Sequence, residues 1–279
     1  MAIDMNPAPA RGILHRTGGR AHGPITRLMS PGDLGQVLKP FVFLDLFDSG
    51  AQRFPPMGPH PHSGIATLTH VLEGSVRYAD TSGAQGLLEA GGVEWMQAGG
   101  GVWHSGGAGR PEPTRGFQLW VALPPALELG PARSLYLGAD DIVQVGPAKV
   151  LLGEHLGAVS AIAAPSSMTY LAVTLEAGER WTYAPPAGHT VLWAAIGQGT
   201  VTTPDRLAQG ELVAFSPGEG AVEFVAVSRA QLVVGSAAPH DHDLVVGRYS
   251  VHTSRRALAF GEGRIDDLAA QLNLDPLTW

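Results

Sequence analysis

The sequence predicts an all-β chain made of two copies of one strand-and-turn unit and finished by a short C-terminal helix. Three observations predict it. Apolar runs of strand length recur from Ile25 onward, mostly bounded by Gly, Pro, Asp or Ser. The 37 glycines and 22 prolines suit the many turns between short strands. A pattern seen near residues 72–95 returns near residues 196–214.

Residues 1–24, rich in Pro, Gly and Ala, read as an arm. Strands are predicted at Ile65–Leu72, Phe117–Leu123, Tyr170–Leu175, Val191–Ile196, Leu212–Phe215 and Gln231–Gly235. The repeat aligns Leu72-Glu73-Gly74-Ser75-Val76 with Gly197-Gln198-Gly199-Thr200-Val201. It also aligns Gly91-Gly92-Val93-Glu94 with Gly210-Glu211-Leu212-Val213. The glycines lie 17 residues apart in the first copy and 11 in the second, as if the second hairpin were shorter. The organisation expected is an arm at 1–24, a first unit at 25–130, an interdomain segment at 131–165, a second unit at 166–255 and a helix and tail at 256–279. The helix is predicted from Ile265, Leu268, Ala269 and Leu272 at helical spacing, with Asp266 and Asp267 in its first turn and Pro276 past its end.

Several chemistries are excluded by composition. With no Cys there is no disulfide, thiolate nucleophile or Cys-bound metal. A net charge of -7 offers no excess positive charge for phosphates, so direct nucleic-acid binding is not expected. No basic n-region precedes an apolar stretch, and the longest apolar runs are far too short to span a bilayer, so a cytoplasmic protein without membrane contact is expected. The glycine run Gly99–Gly101 lacks the Lys and Ser/Thr of a phosphate loop, and no Gly-x-Ser-x-Gly elbow is present. Only Lys39 and Lys149 are offered for Schiff-base chemistry.

The sharpest signal is Pro59-His60-Pro61-His62. In extended backbone, residues i and i+2 share a face, so His60 and His62 point at one place, and the prolines stiffen the segment. Past the glycine turn comes His104, which an antiparallel return would set opposite the pair. Three neutral imidazoles suit Fe, Zn, Cu, Ni or Mn, so ligand type alone does not name the metal.

These motifs, in order, resemble the pirin family. They are His-Pro-His-x-Gly at 60–64, Val71-Leu72-Glu73-Gly74, and the run from Trp95 through Ala98, Gly99 and Gly101 to His104. Lys39–Asp45, Gly116–Val121, Pro239–Val245 and Gly247–Ser254 match as well, and the likeness covers roughly residues 20–255. The resemblance implies two cupin-type β-barrels in one chain, a bicupin, with one divalent metal ion in the first, iron foremost and Zn, Cu, Ni or Mn as alternatives. The three histidines carry over onto His60, His62 and His104. Some members oxidise quercetin as quercetin 2,3-dioxygenases do, and animal members act as nuclear co-regulators. No basic localisation run supports a nuclear role here.

One element of the family pattern is missing. After the third histidine the family has His-x-Glu; here it is His104-Ser105-Gly106. A second family Glu, four residues after the second His, is replaced by Ala66. The chain thus lacks the anionic ligand and the evident base, so weak or no quercetin oxidation is expected. Three functions follow: a metal-dependent oxygenase acting on a small aromatic or enolic substrate, a non-catalytic metal-binding or regulatory module with a protein partner, and a metal-free cupin that binds a small molecule. Among residues that could compensate, His70 reads as packed, Glu73 as a solvated turn residue, and Glu112 and Asp80 as surface. Met96 and Trp103 read as core. Glu94 has a face that alternation alone does not settle. The second half keeps a single His189 and reads as structural, and His240-Asp241-His242-Asp243 reads as a loop feature.

Overall fold

The computed structural model describes residues 11–52 and 54–272. Each half is a seven-stranded antiparallel sheet facing a four-stranded one. In the first half the large sheet runs Arg133–Leu137, Val93–Gln97, Ile65–Glu73, Arg115–Ala122, Phe41–Asp48, Ile25–Met29, Arg20–His22. Its small sheet runs Met57–His62, Val102–Ala108, Ser75–Asp80, Gln85–Glu89. The second half repeats this order. Its large sheet is Ile13–Thr17, Leu212–Phe215, Val191–Gln198, Ala230–Ala237, Met168–Leu175, Ala148–Leu152, Gln144–Val145, and its small sheet is Arg180–Tyr183, Val222–Ala226, Thr200–Thr203, Asp205–Ala208. The protein is therefore all-β with two barrels, and each apolar run named from the sequence falls on a strand, Leu123 lying just past the end of its own.

The glycines of the repeat explain why the two halves fold alike. Gly74 and Gly199 turn the same hairpin with φ of 74° and 77°, a region that only glycine enters freely. A Cβ at either would clash with the backbone, 2.2 Å from the Pro113 carbonyl oxygen or 2.1 Å from that of Arg229.

Strand alternation then sorts the side chains into layers. The outward face of each large sheet packs against the other in one shared core that includes Leu44, Leu68, Phe117, Tyr170, Trp193 and Val233. Trp193 meets Phe41 edge-on across it at 5.4 Å. The interior of the second barrel is a separate apolar core, with Leu171, Leu192, Ile196 and Phe224 among its members. The interior of the first barrel has a smaller apolar cluster around Phe47, Phe54 and Val76.

Three boundaries differ from the sequence reading. Within the expected arm, Ile13–Thr17 is a strand, paired with Leu212–Phe215 of the second barrel; Arg20–His22 also pairs, onto Ile25–Met29. Residues 1–10 lie outside the described residues. The expected interdomain segment is divided between the barrels: Arg133–Leu137 extends the first large sheet, while Gln144–Val145 and Ala148–Leu152 extend the second. The helix is longer than periodicity suggested, spanning Arg255–Gln271 with Ser254 Oγ capping it by accepting from the Ala257 amide. Asp266 and Asp267 are thus inside it rather than in its first turn, and Pro276 lies outside the described residues. Gly261 and Gly263 hid the helix start, since glycine is a poor helix former. Gly261 is required by packing, because a Cβ there would lie 2.5 Å from both Ser63 Oγ and His252 Nε2. A one-turn helix at Leu34–Val37 is also present. Among the described residues, no helix is long and apolar enough to cross a membrane.

Candidate metal centre

Met57–His62 and Val102–Ala108 pair antiparallel, with His104 directly opposite His60 and Val102 opposite His62. This register brings the three histidines together. One nitrogen from each ring lies within 4.8 Å of the others, and the ring centroids are 4.2 to 5.2 Å apart. His60 Nδ1 is 2.9 Å from the Gly58 carbonyl and His62 Nδ1 is 2.9 Å from that of Tyr249. With Nδ1–H donating to these carbonyls, each ring keeps a free lone pair on Nε2. His62 also packs edge-on to Trp120 at 4.8 Å, which holds its plane.

The three rings are neutral. Burial pushes all three below the usual imidazole range, His62 to about 3, and the neighbouring rings push His62 and His104 further down. Neutral imidazole is the form that binds metal. His104 Nε2 is buried with no hydrogen-bond partner, and an orphaned buried nitrogen of this kind costs roughly 1–3 kcal/mol. A divalent ion answers that cost, so the residues fit a metal. Bonds of about 2.1 Å from one ion set two nitrogens no more than about 4.2 Å apart, so the widest pair must close in by more than about half an ångström to hold it.

Gly106 is the next inward position after His104. Its φ lies outside the left-handed region, and a Cβ there would meet only Met57 Cε at 3.3 Å and the Arg77 carbonyl at 3.4 Å. The backbone thus accepts a side chain, and the missing carboxylate is a matter of sequence, not of strain. Ala66 belongs to the core between the barrels, so a carboxylate there would face away from the histidines.

Beside His104, a narrow cavity of about 70 Å³ is lined by His104, Gly106 and two contrasting walls. One wall is apolar: Phe47, Phe54, Met57 and Val76. The other is polar, formed by Asp45, Gln118, Thr69 and Glu94, the middle of a row in register across the large sheet that runs from Arg27 to Tyr136. Arg27 pairs with both oxygens of Asp45. The Thr69 hydroxyl is 2.6 Å from Glu94 Oε2 and 2.7 Å from Gln118 Oε1. It has one proton for two acceptors, while Gln118 Nε2 is buried without a partner. Turning the Gln118 amide over satisfies both: its nitrogen donates to Thr69, and Thr69 donates to Glu94. Burial pushes the Glu94 carboxyl above the usual range, and the nearby Asp80 adds to this.

Glu94 is therefore the inward-facing residue whose direction alternation left open. The repeat held a usable signal, since it aligns Glu94 with Val213. Asp80 stands directly opposite His104 in the strand pairing, its carboxylate turned to Ser82, Ser134 and Tyr136; the remaining candidates lie apart. His70 is buried with Nδ1 on the Gly92 carbonyl. Glu73 is exposed beside Arg115. Met96 and Trp103 are core, Trp103 donating to the Ile265 carbonyl of the helix. Asp80 and Glu112 differ from the surface reading: Asp80 accepts from Ser82, Ser134 and Tyr136, and Glu112 accepts from Ser75. In the second barrel, His189 is held by Ser167 and Ser236 and belongs to no cluster of three metal ligands among the described residues. His240 and His242 contact each other on an exposed loop.

The family model described as Pirin matches residues 24–121. A "Pirin-like protein" of Caulobacter vibrioides is 31% identical over 222 residues, covering 73% of this chain and 75% of that one. The chain belongs to the pirin family. A Pseudomonas aeruginosa relative named "Putative quercetin 2,3-dioxygenase" is 31% identical over 240 residues, 80% of this chain and 83% of the other. In fold, the chain is similar to the crystal structure of a quercetin 2,3-dioxygenase from Acinetobacter baumannii, with a TM-score of 0.84 at 24% identity over 94% of this chain and 98% of that one. Bicupin architecture is thus shared along nearly the whole length of this pirin-family chain.

Proposed function

We propose that the first barrel holds one divalent metal ion on His60, His62 and His104 and oxidises a small planar phenol or enol of the flavonol class. The observation that carries this reading is the joining of three neutral, convergent imidazoles to a cavity with one apolar, aromatic wall and one polar wall. Walls of this kind suit a flat ring system that enters from the open mouth with its hydroxyls toward the polar side. The name of the Pseudomonas relative supports the same substrate class. Iron is the foremost candidate, with Mn, Ni, Cu and Zn as alternatives for three imidazoles. The chemistry the ion supplies is activation of the substrate oxygen and of dioxygen at positions the protein leaves open. Phe47 and Phe54 exclude water from the ring, Trp120 fixes the plane of His62, and the polar row meets the hydroxyls.

Gly106 favours a second reading, a metal-binding module without turnover whose ion tunes a protein-binding surface. One experiment separates the two. Protein loaded in turn with Fe, Mn, Ni, Cu or Zn is mixed with quercetin and oxygen uptake is followed. Uptake that depends on metal and is lost in His104→Ala supports the oxygenase. No uptake with any ion, in protein holding one metal per chain, supports the second reading.

A further inference from the structure

The polar row of the first barrel has a counterpart in the second that shows what the fold itself requires. The pairing Arg27↔Asp45↔Gln118↔Thr69↔Glu94 matches, strand for strand, Val150↔Leu171↔Val234↔Ala194↔Val213. All five residues of the second row are buried and apolar. The sheet therefore closes and packs without a polar atom at these positions. At the end of the row, Glu94 is 6% exposed. Among the described residues no Lys, Arg or His pairs with it. Its contacts are the Thr69 hydroxyl at 2.6 Å and the Tyr136 hydroxyl, distant at 3.5 Å. Arg27, the cation of the row, is committed to Asp45. A buried carboxyl without a cation is unfavourable for stability, and this one faces the cavity that His104 and Gly106 also line.

We propose that Glu94 is the base of this cavity: it takes the proton of the substrate hydroxyl, the task left vacant at Gly106, while Thr69 and Gln118 position it. The proposal rests on the flavonol-class reading of the centre. In the step, the substrate O–H bond breaks, its electron pair stays on the substrate oxygen, and the proton binds Glu94 Oε1. Oε2 stays on Thr69, and no electron moves. Burial, which favours the protonated carboxyl, places Glu94 closer to the range in which a base exchanges protons at neutral pH. The chain then needs no carboxylate after His104, and weak quercetin oxidation no longer follows from its loss.

The test uses the full chain with quercetin and has a readout apart from turnover. Infrared difference spectra are recorded as quercetin binds, with the wild type compared to Glu94→Gln, which keeps the size and the Thr69 contact. The expected result is a carboxylic-acid C=O band that appears on binding to the wild type and not to the variant. Metal-loaded Glu94→Gln should lose about 10²–10⁴-fold in turnover with unchanged metal content. Glu94→Val, which installs the residue of the second barrel, should unfold at the same or a higher denaturant concentration. An identical band in Glu94→Gln, retained turnover, or marked destabilisation of Glu94→Val would overturn the base role and leave the flavonol reading standing. Failure of the wild type to bind quercetin at all would overturn both.

Discussion

The strand Val191–Gln198 of the second barrel turns Leu192, Ala194 and Ile196 into its barrel, and all three join a continuous apolar core. The matching strand Ile65–Glu73 of the first turns Thr67, Thr69 and Val71 inward, and Thr69 lines a cavity. Strand order and turn glycines are shared, so the backbone does not decide which barrel is filled. The inward side chains decide it. A filled barrel gains roughly 25 cal/mol for each Å² of apolar surface removed from water; a hollow one gives up part of that gain and obtains a binding site. The two halves show stability and chemistry assigned to separate copies of one unit.

The largest test of this division is metal content. His62→Ala or His104→Ala should reduce bound metal to background in elemental analysis of the dialysed protein, because among the described residues the cluster gathers three ligands and no fourth. His189→Ala, at the corresponding end of the second barrel, should leave metal content unchanged. Exchanging one residue between the matched rows comes next. Val234→Gln buries an amide in an apolar core and should cost about 3 kcal/mol in denaturant unfolding. The reciprocal Gln118→Val should cost less than about 1 kcal/mol, since one end of its amide is without a partner whichever way the group is turned.

His70 sharpens the comparison through pH. Burial holds it at about 4 in the fold, against about 6.5 unfolded. The unfolded chain binds the extra proton between these values, so this stability is complete above about pH 6.5 and is lost as pH falls toward 4, at up to about 1.4 kcal/mol per pH unit. His70→Gln should flatten the slope measured by urea unfolding across that window. In the second barrel the same register position is Ala195, which does not titrate. The smallest expected effect is a gain. Gly106→Glu should tighten metal binding on the order of tenfold in a chelator competition, and should restore part of the turnover lost in Glu94→Gln.

Much of this was legible from residue order. The His60-Pro61-His62 segment declared a shared face, and the Gly74 and Gly199 hairpins declared the duplication, because both depend on local backbone rules. Three things were not local. Ile13–Thr17 is a strand only because Leu212–Phe215 offers it an edge about two hundred residues away. The helix start was masked by Gly261, a glycine kept for contact with Ser63 and His252. The inward direction of Glu94 depends on its pairing with Thr69, and register is a property of two strands, not one.

The path of the backbone between the barrels bears on how such a protein could be divided. Ile13–Thr17 edges the second barrel before the chain has built the first. After the second barrel is complete, the chain returns to the first: Tyr249 supplies the carbonyl for His62, and Glu128 clasps His252 and Thr253. Each half borrows from the far end of the other. A gene cut between the halves would therefore yield two fragments, one with an unpaired sheet edge and one with a metal ligand lacking its anchor. The duplication has been sewn into an inseparable pair, and recombination cannot exchange one half as a module.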